Sequence, residues 1–160
     1  MDAVVPSALL VRTKAALLRW PLGLAWLLFL PNAPYLVTDL VHLKARPPVP
    51  LWLDVLLWSS FAVAGLVLGW TSLEAIARSL APRLGRIGSS TFVAAVLLLI
   101  GFGTDLGRFL RWNSWDVVTN PLGLVAAALE ALTEPHALFF SLAFGGLVGA
   151  GYLVVAQPAR

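Results

Sequence analysis

The chain has 160 residues, of which 59% are hydrophobic and 12% are charged, whereas soluble domains average about 45–50% and about 25%. This composition excludes an ordinary soluble protein, and the length provides one bundle of a few membrane spans without a separate soluble domain. The net charge is +3 and there is no cysteine, but the basic residues stand singly near the ends of apolar segments, which argues against nucleic-acid binding, and disulfides and thiolate chemistry are excluded.

The first predicted span covers about residues 20–38 and contains two prolines, Pro31 and Pro34. Because proline lacks a backbone N–H and its ring clashes with the preceding turn, an unbroken helix cannot contain both. The backbone carbonyls left without partners need donors from elsewhere. We therefore expect this segment to face protein or a polar cavity.

A polar face follows these prolines. Tyr35, Asp39 and His42 recur at intervals of four and three residues, which places them on one side of a helix. A carboxylate can orient an imidazole and raise its basicity, so Asp39 and His42 are candidates for a general acid/base pair. The alternative is an interfacial helix with a structural hydrogen bond.

The second predicted span covers about residues 51–73. It carries a stripe of small residues that would let another helix approach closely: Ala62, Gly65 and Gly69. A loop over about residues 74–90 is expected to follow, in which Pro82 ends any long helix.

The third predicted span, about residues 91–110, carries charge beside apolar sequence. Asp105 and Arg108 are three residues apart and are expected to pair, which lowers the cost of both charges. The guanidinium fork suits phosphate, so the pair is a candidate site for an anionic headgroup. The alternative is an ion pair that only fastens this span to the next helix.

Asn120 and Pro121 form a helix-start signal, an N-cap followed by proline at the first helical position. The helix they begin, about residues 121–132, would be about 18 Å long and too short to cross a bilayer, so we expect it to be interfacial or re-entrant. The last span is predicted over about residues 137–156, where several glycines favour close helix contact and suggest a homo-oligomer.

The basic residues divide unequally between the two sides of a four-span bundle. The side of both termini carries Arg12, Lys14, Arg19, Arg78, Arg83, Arg86 and Arg160, and the other carries Lys44, Arg46, Arg108 and Arg111. The positive-inside rule therefore places both termini in the cytoplasm. Most carboxylates and both histidines then lie at the extracytoplasmic end, where four segments bring polar groups together.

Two stretches have an unusual residue order: Leu30-Pro-Asn-Ala-Pro-Tyr-Leu-Val-Thr-Asp-Leu-Val-His-Leu43 and Gly107-Arg-Phe-Leu-Arg-Trp-Asn-Ser-Trp-Asp116. In these stretches the chain resembles a family of bacterial multi-pass membrane proteins catalogued as domain of unknown function 1361. The similarity runs over nearly the whole chain from about residue 20. It implies a helical bundle in the bacterial inner membrane but no activity, and relative to a typical member one or two leading spans are expected to be missing.

The sequence thus predicts an all-α, polytopic membrane bundle that forms one domain over residues 1–160, with about four transmembrane helices and one short interfacial or re-entrant helix. We expect a polar pocket at the extracytoplasmic end that binds or modifies a lipid-linked or small anionic substrate. The candidate catalytic residues are Asp39, His42 and Asp116. The candidate substrate-binding residues are Tyr35, Asp105, Arg108, Arg111, Asn113 and Asn120.

Two other functions stay open. A structural or accessory subunit would use the same polar residues only to lock the bundle. A transporter component is disfavoured because polar residues near the membrane midplane, where transporter sites usually lie, are scarce. His42 and His136 have no metal-binding spacing, so no metal site is predicted, and no cofactor is assigned.

Overall fold

The computed structural model describes residues 16–45 and 47–156. The helices are α1 (Ala16–Phe29), α2 (Asn32–Asp39), a 3-10 turn (Leu40–His42), α3 (Leu51–Arg108), α4 (Asp116–Thr119), α5 (Pro121–Ala131) and α6 (Pro135–Val155). No β-strand occurs in the described ranges. The expected all-α class is therefore confirmed.

Three segments are long and apolar enough to cross a bilayer: Leu18–His42, Leu51–Arg108 and Pro135–Val155. Many large apolar side chains on these segments are exposed, as suits a protein surrounded by lipid tails rather than water. Helix α5 has 11 residues and at about 16 Å is too short to span. The chain is therefore an integral membrane protein with one short helix beside its spans.

Helix α3 folds back on itself at Gly85. A straight helix of 58 residues would be about 87 Å long, nearly three times the hydrocarbon thickness of a bilayer. Gly85 has φ 68° and ψ 179°, and the Ser89 hydroxyl lies 3.3 Å from the Ala77 carbonyl oxygen. Twelve residues of straight helix would separate these groups by about 18 Å. Helix α3 is therefore a helical hairpin with a first arm (residues 51–84) and a second arm (residues 86–108).

The hairpin corrects the expected loop over residues 74–90. The first arm remains helical through Pro82. The prediction that Pro82 ends any long helix is therefore wrong. The break comes instead at Gly85, because a residue without Cβ adopts positive φ without steric cost. A single glycine thus replaces the expected long connection.

The break between α1 and α2 lies at the predicted prolines, since α1 ends at Phe29 and α2 begins at Asn32. The Ser114 hydroxyl donates to the Leu28 carbonyl at 2.7 Å, and Asn32 Nδ2 lies 3.4 Å from the same hydroxyl. A residue from the loop after α3 therefore donates a hydrogen bond to the backbone carbonyl at the break. This contact confirms that the proline segment faces protein.

Trp26 joins α1 to both arms of α3. Its side chain is buried, its indole N–H donates to the Ser72 hydroxyl at 2.6 Å, and its ring stacks on Phe92 with centroids 6.5 Å apart. The apolar core around it consists of Leu30, Leu73, Ile76, Val96, Ile100, Val148 and Tyr152. Helix α6 contributes Val148 and Tyr152 to this core.

The small-residue stripes are sites of close helix contact within the chain. A Cβ placed on Gly65 would lie 2.9 Å from the Ala33 carbonyl oxygen of α2, and one placed on Gly145 of α6 would lie 2.6 Å from the Leu97 carbonyl oxygen. These faces are therefore covered inside the bundle, which removes them as surfaces for the expected homo-oligomer. Gly146 differs, because nothing lies within 4 Å of a Cβ placed there.

The direction of the helices defines two ends of the bundle. Helix α2 and the second arm of α3 finish at one end, where α6 begins, and we call this the Arg108 end. The Gly85 turn lies at the other end, toward which α6 runs, as its Tyr152 hydroxyl donates to the Glu74 carboxylate of the first arm. Asp39, His42 and Arg108 thus share one end of the bundle.

Candidate functional site

Arg108 is the centre of the contacts at this end. Its Nη1 donates to Asp39 Oδ1 at 3.0 Å, its Nη2 donates to the Thr38 carbonyl at 3.1 Å, and Nη2 also contacts His42 Nε2. The guanidinium lies over the Tyr35 ring, 6.0 Å from its centroid, which is within the range of a cation–π interaction. We call these five residues the Arg108 cluster.

The cluster joins the two stretches that the sequence marked as unusual. The four-residue spacing of Tyr35 and Asp39 in α2 puts both on the side facing the second arm, and the 3-10 turn after α2 carries His42 to the same guanidinium. Arg108, the last residue of α3, is 16% exposed and Asp39 is 27% exposed. This partly buried ion pair replaces the expected pair of Arg108 with Asp105, which is a correction.

The contact with Arg108 fixes how the imidazole of His42 is protonated. A guanidinium has only donors, so this contact is a hydrogen bond when Nε2 accepts and the ring proton is on Nδ1. No hydrogen bond between Asp39 and His42 occurs in the described residues, since each side chain contacts Arg108 instead. The two residues expected to form an acid/base pair therefore meet through a shared cation.

A depression beside the cluster has a volume of about 220 Å³ and is lined by Asp39, His42, Leu43, Lys44, Asp54 and Trp58. Sequence reasoning missed four of these residues as site residues: Leu43, Lys44, Asp54 and Trp58. Asp54 lies in the first turn of α3, and Trp58, one turn further on, shares its helix face. The fold brings that face against the end of α2, and a local sequence pattern cannot predict such a contact between distant segments.

The charges in the depression are unequally compensated. Asp39 is paired with Arg108, whereas Lys44 and Asp54 have no ion-pair partner among the described residues. The space is smaller than the roughly 300–1,000 Å³ of pockets for drug-sized ligands. It suits a compact charged group rather than a whole metabolite.

Asp105 points away from the cluster, toward α6. Its side chain is 3% exposed, and its Oδ1 atom has no hydrogen-bond partner among the described residues. His136 Nδ1 lies 3.6 Å from that oxygen, which is longer than a hydrogen bond. The Asp105 expected to bind substrate beside Arg108 is therefore buried at a helix contact.

The remaining candidates hold local structure. Asp116 accepts from the Asn113 backbone N–H at 2.7 Å and from the Thr119 hydroxyl at 2.9 Å, and these hydrogen bonds, the backbone one first, lower the pKa of the Asp116 carboxyl. The Asn120 side chain caps α5, as expected. Arg111 is exposed with φ 60°. No hydrogen bond or ion pair in the described residues links Asp116, Asn113, Asn120 or Arg111 to the Arg108 cluster.

Comparison with known proteins gives one match. A family model described as "Protein of unknown function (DUF1361)" covers residues 4–150, which include the Arg108 cluster and the Asp105–His136 contact. No curated protein and no solved structure shows a significant match. In the described residues, no group of three or more potential ligand side chains could hold a metal ion.

Proposed function

The chain belongs to the DUF1361 family, which assigns no activity, and we propose that its Arg108 end binds a lipid-linked or small anionic substrate. The observation that carries the proposal is a depression lined by both Lys44 and Asp39, in which Asp39 already forms an ion pair with Arg108. Because Arg108 neutralises Asp39, Lys44 is the cation in the depression that has no ion-pair partner among the described residues and can meet an incoming anion. Among those residues, Asp54 is the one unpaired carboxylate in the depression that opposes the anion. Trp58 gives the same depression an aromatic wall beside the bilayer.

The proposal includes a topology. Each arm of α3 is long enough to cross a bilayer, so the hairpin counts as two spans and the bundle as four. The excess of Lys and Arg on the side of the Gly85 turn and both termini supports a cytoplasmic location for that side. In a bacterial inner membrane, the Arg108 end then faces the extracytoplasmic headgroups, where an anionic lipid or lipid-linked molecule is met.

The residues divide into two roles. Lys44 contacts the anion directly, and His42 offers the Nδ1–H that its contact with Arg108 leaves free. Arg108 shapes the depression by holding α2 and its 3-10 turn against the second arm. An acid/base role for His42 requires that a ligand displace the guanidinium from Nε2, since an occupied lone pair accepts no proton.

A structural or accessory subunit is the second candidate, and one observation favours it. The contacts of Arg108 with Asp39, Thr38 and His42 occupy much of the donor fork that an anion would otherwise use. On that reading the cluster only fastens α2 to α3. Substitution of Lys44 would then have no effect on ligand binding.

The test separates binding from folding. Wild-type protein, Lys44→Ala and the control Arg83→Ala, an exposed cation near the Gly85 turn, are placed in phosphatidylcholine nanodiscs with increasing phosphatidylglycerol. Native mass spectrometry then counts the phosphatidylglycerol molecules that stay bound. We expect Lys44→Ala to weaken retention about fivefold, as one basic residue near a membrane surface contributes about 1 kcal/mol.

The control distinguishes the two candidates. Arg83→Ala removes an exposed cation of the first arm beside the Gly85 turn, so it measures the general attraction of one basic residue to anionic lipid, and Lys44→Ala should lose more phosphatidylglycerol than this control. Equal retention by Lys44→Ala and wild type would refute the binding proposal. Arg108→Ala should lower the free energy of unfolding by about 2–3 kcal/mol on either reading, because it leaves Asp39 without its charged hydrogen bond.

A further inference from the structure

Asp105 is the most costly polar group in the described part of the bundle. Its side chain is 3% exposed inside an apolar helix, and Oδ1 lacks a donor among the described residues. Burial of an ionised carboxylate without partners costs several kcal/mol. Ionisable residues inside a membrane segment are usually functional.

The group that faces this carboxylate is held in place but accessible. His136 is 63% exposed, the edge of its ring meets Phe109 with centroids 4.6 Å apart, and Phe140 stacks on it at 6.4 Å. Its Nδ1 atom faces Asp105 Oδ1. Nδ1 and Nε2 flank Cε1 and their in-plane lone-pair directions diverge, so a ring that turns Nδ1 to the carboxylate directs Nε2 away from it.

We infer that His136 is a proton-transfer residue, with Asp105 as its positioning residue, for a hydroxyl-bearing ligand or water at the Arg108 end. A carboxylate 3.6 Å from Nδ1 attracts the N–H dipole and so favours the tautomer with the proton on Nδ1, which leaves a lone pair on Nε2. The same arrangement makes His42 a contrast within the chain, because there the Arg108 guanidinium occupies Nε2. The inference stands independently of anion binding at Lys44.

The proposed step is a proton transfer and nothing more. The Nε2 lone pair of His136 forms an N–H bond as the O–H bond of the ligand breaks, and the electron pair of that bond stays on oxygen. The imidazole becomes an imidazolium, whose charge the adjacent Asp105 carboxylate balances. The present 3.6 Å separation would shorten to a hydrogen bond in the charged state, as catalytic contacts often tighten only in a complex.

The surroundings contain no competing charge for this pair. Arg108, three residues along the second arm, is turned to Asp39, and His136 is the basic side chain within 4 Å of the Asp105 carboxyl among the described residues. A carboxylate with a purely structural role would accept hydrogen bonds from donors on the helices that bury it. Asp105 Oδ1 has none among the described residues, and the polar group described as near it is His136 Nδ1.

The test uses the fact that the chain has two histidines. Protein labelled with ¹⁵N-histidine in nanodiscs gives two sets of ring signals, and their ¹⁵N shifts report which nitrogen carries the proton. We expect both neutral rings to be Nδ1–H tautomers in the wild type. Asp105→Leu should abolish that preference at His136 alone, and Arg108→Ala should abolish it at His42 alone.

Asp105→Leu is chosen because it removes a buried carboxyl whose Oδ1 has no donor among the described residues and puts an apolar group of similar volume there, while the exposed His136 can turn to water. Asp105→Asn serves as a second variant, whose carbonyl can still accept from Nδ1 and should partly restore the tautomer. Diethyl pyrocarbonate, which acylates free imidazole nitrogens, should modify His136 faster than His42 in the wild type. An Nε2–H tautomer at wild-type His136, or no change in Asp105→Leu, would overturn the inference.

Discussion

Gly145 and Gly146 are neighbours on α6 with opposite surroundings, and alanine at each gives a matched pair of substitutions. A Cβ on Gly145 would lie 2.6 Å from the Leu97 carbonyl oxygen and 3.3 Å from its carbonyl carbon, whereas nothing lies within 4 Å of a Cβ on Gly146. Both substitutions add the same methyl group to the same helix. Their difference therefore isolates the packing of α6 against the second arm of α3.

The distances set the expected size of the effect. Ordinary contact begins at 3.4 Å, so Gly145→Ala requires the two helix backbones to move apart by about 0.8 Å, and overpacking of this kind costs about 1–3 kcal/mol. A backbone carbonyl cannot rotate away as a flexible side chain can. Gly146→Ala meets no atom and should be neutral or stabilising by up to about 1 kcal/mol, because alanine favours helix over glycine.

The assay is equilibrium unfolding in mixed micelles of detergent and dodecyl sulfate, followed by tryptophan fluorescence. Gly145→Ala should unfold at a lower dodecyl sulfate fraction than wild type, and Gly146→Ala at the same or a higher one. Equal destabilisation by the two variants would refute the argument, since it would show that the Leu97 contact does not decide the cost. The displacement should also separate His136 from Asp105, which the histidine ¹⁵N signals would report.

Two further predictions concern the loop after α3. Ser114→Ala should lower the free energy of unfolding by about 1–3 kcal/mol, because it removes the donor to the partly buried Leu28 carbonyl. The control Ser60→Ala should lower it little, since that exposed hydroxyl bonds only within its own helix. Unfolding in the same mixed micelles measures both variants, and equal losses would contradict the role of Ser114. The lowered pKa of Asp116 means that its contribution to the turn is complete above the ordinary carboxyl pKa and is lost as the pH falls through the lowered value. Hydrogen exchange at the Asn113 amide, corrected for intrinsic rates, should therefore quicken only as the pH falls below the ordinary carboxyl pKa, and a loss of protection above it would contradict this sign.

The general character of the protein follows from its sequence because it depends on composition and local geometry. Apolar content alone requires a membrane, and in lipid the backbone must satisfy its own hydrogen bonds, which leaves helices as the element for segments of this length. Proline chemistry places the break between α1 and α2, and the Asn120 cap places the start of α5. Each of these effects acts within a few residues.

The site could be predicted in part. The sequence indicated that polar groups from four segments would gather at one end of the bundle, and the contacts of Arg108 with Asp39 and His42 lie at one end. It also indicated an Asp105–Arg108 pair, because residues three apart on a helix are neighbours. Local spacing permits such a pair, but it cannot show which helix packs on either side of the arm.

Only the tertiary structure decided which partner each charge took. Helix α2 packs beside Arg108 and offers Asp39, while α6 packs beside Asp105 and offers His136, so two residues on one helix end in separate sites. The hairpin at Gly85 decides this arrangement, because it lays the second arm between these helices and brings Asp54 to the depression. Composition and spacing determined the membrane bundle and the residues that would be polar at its Arg108 end, whereas contacts between distant segments determined what those residues can do.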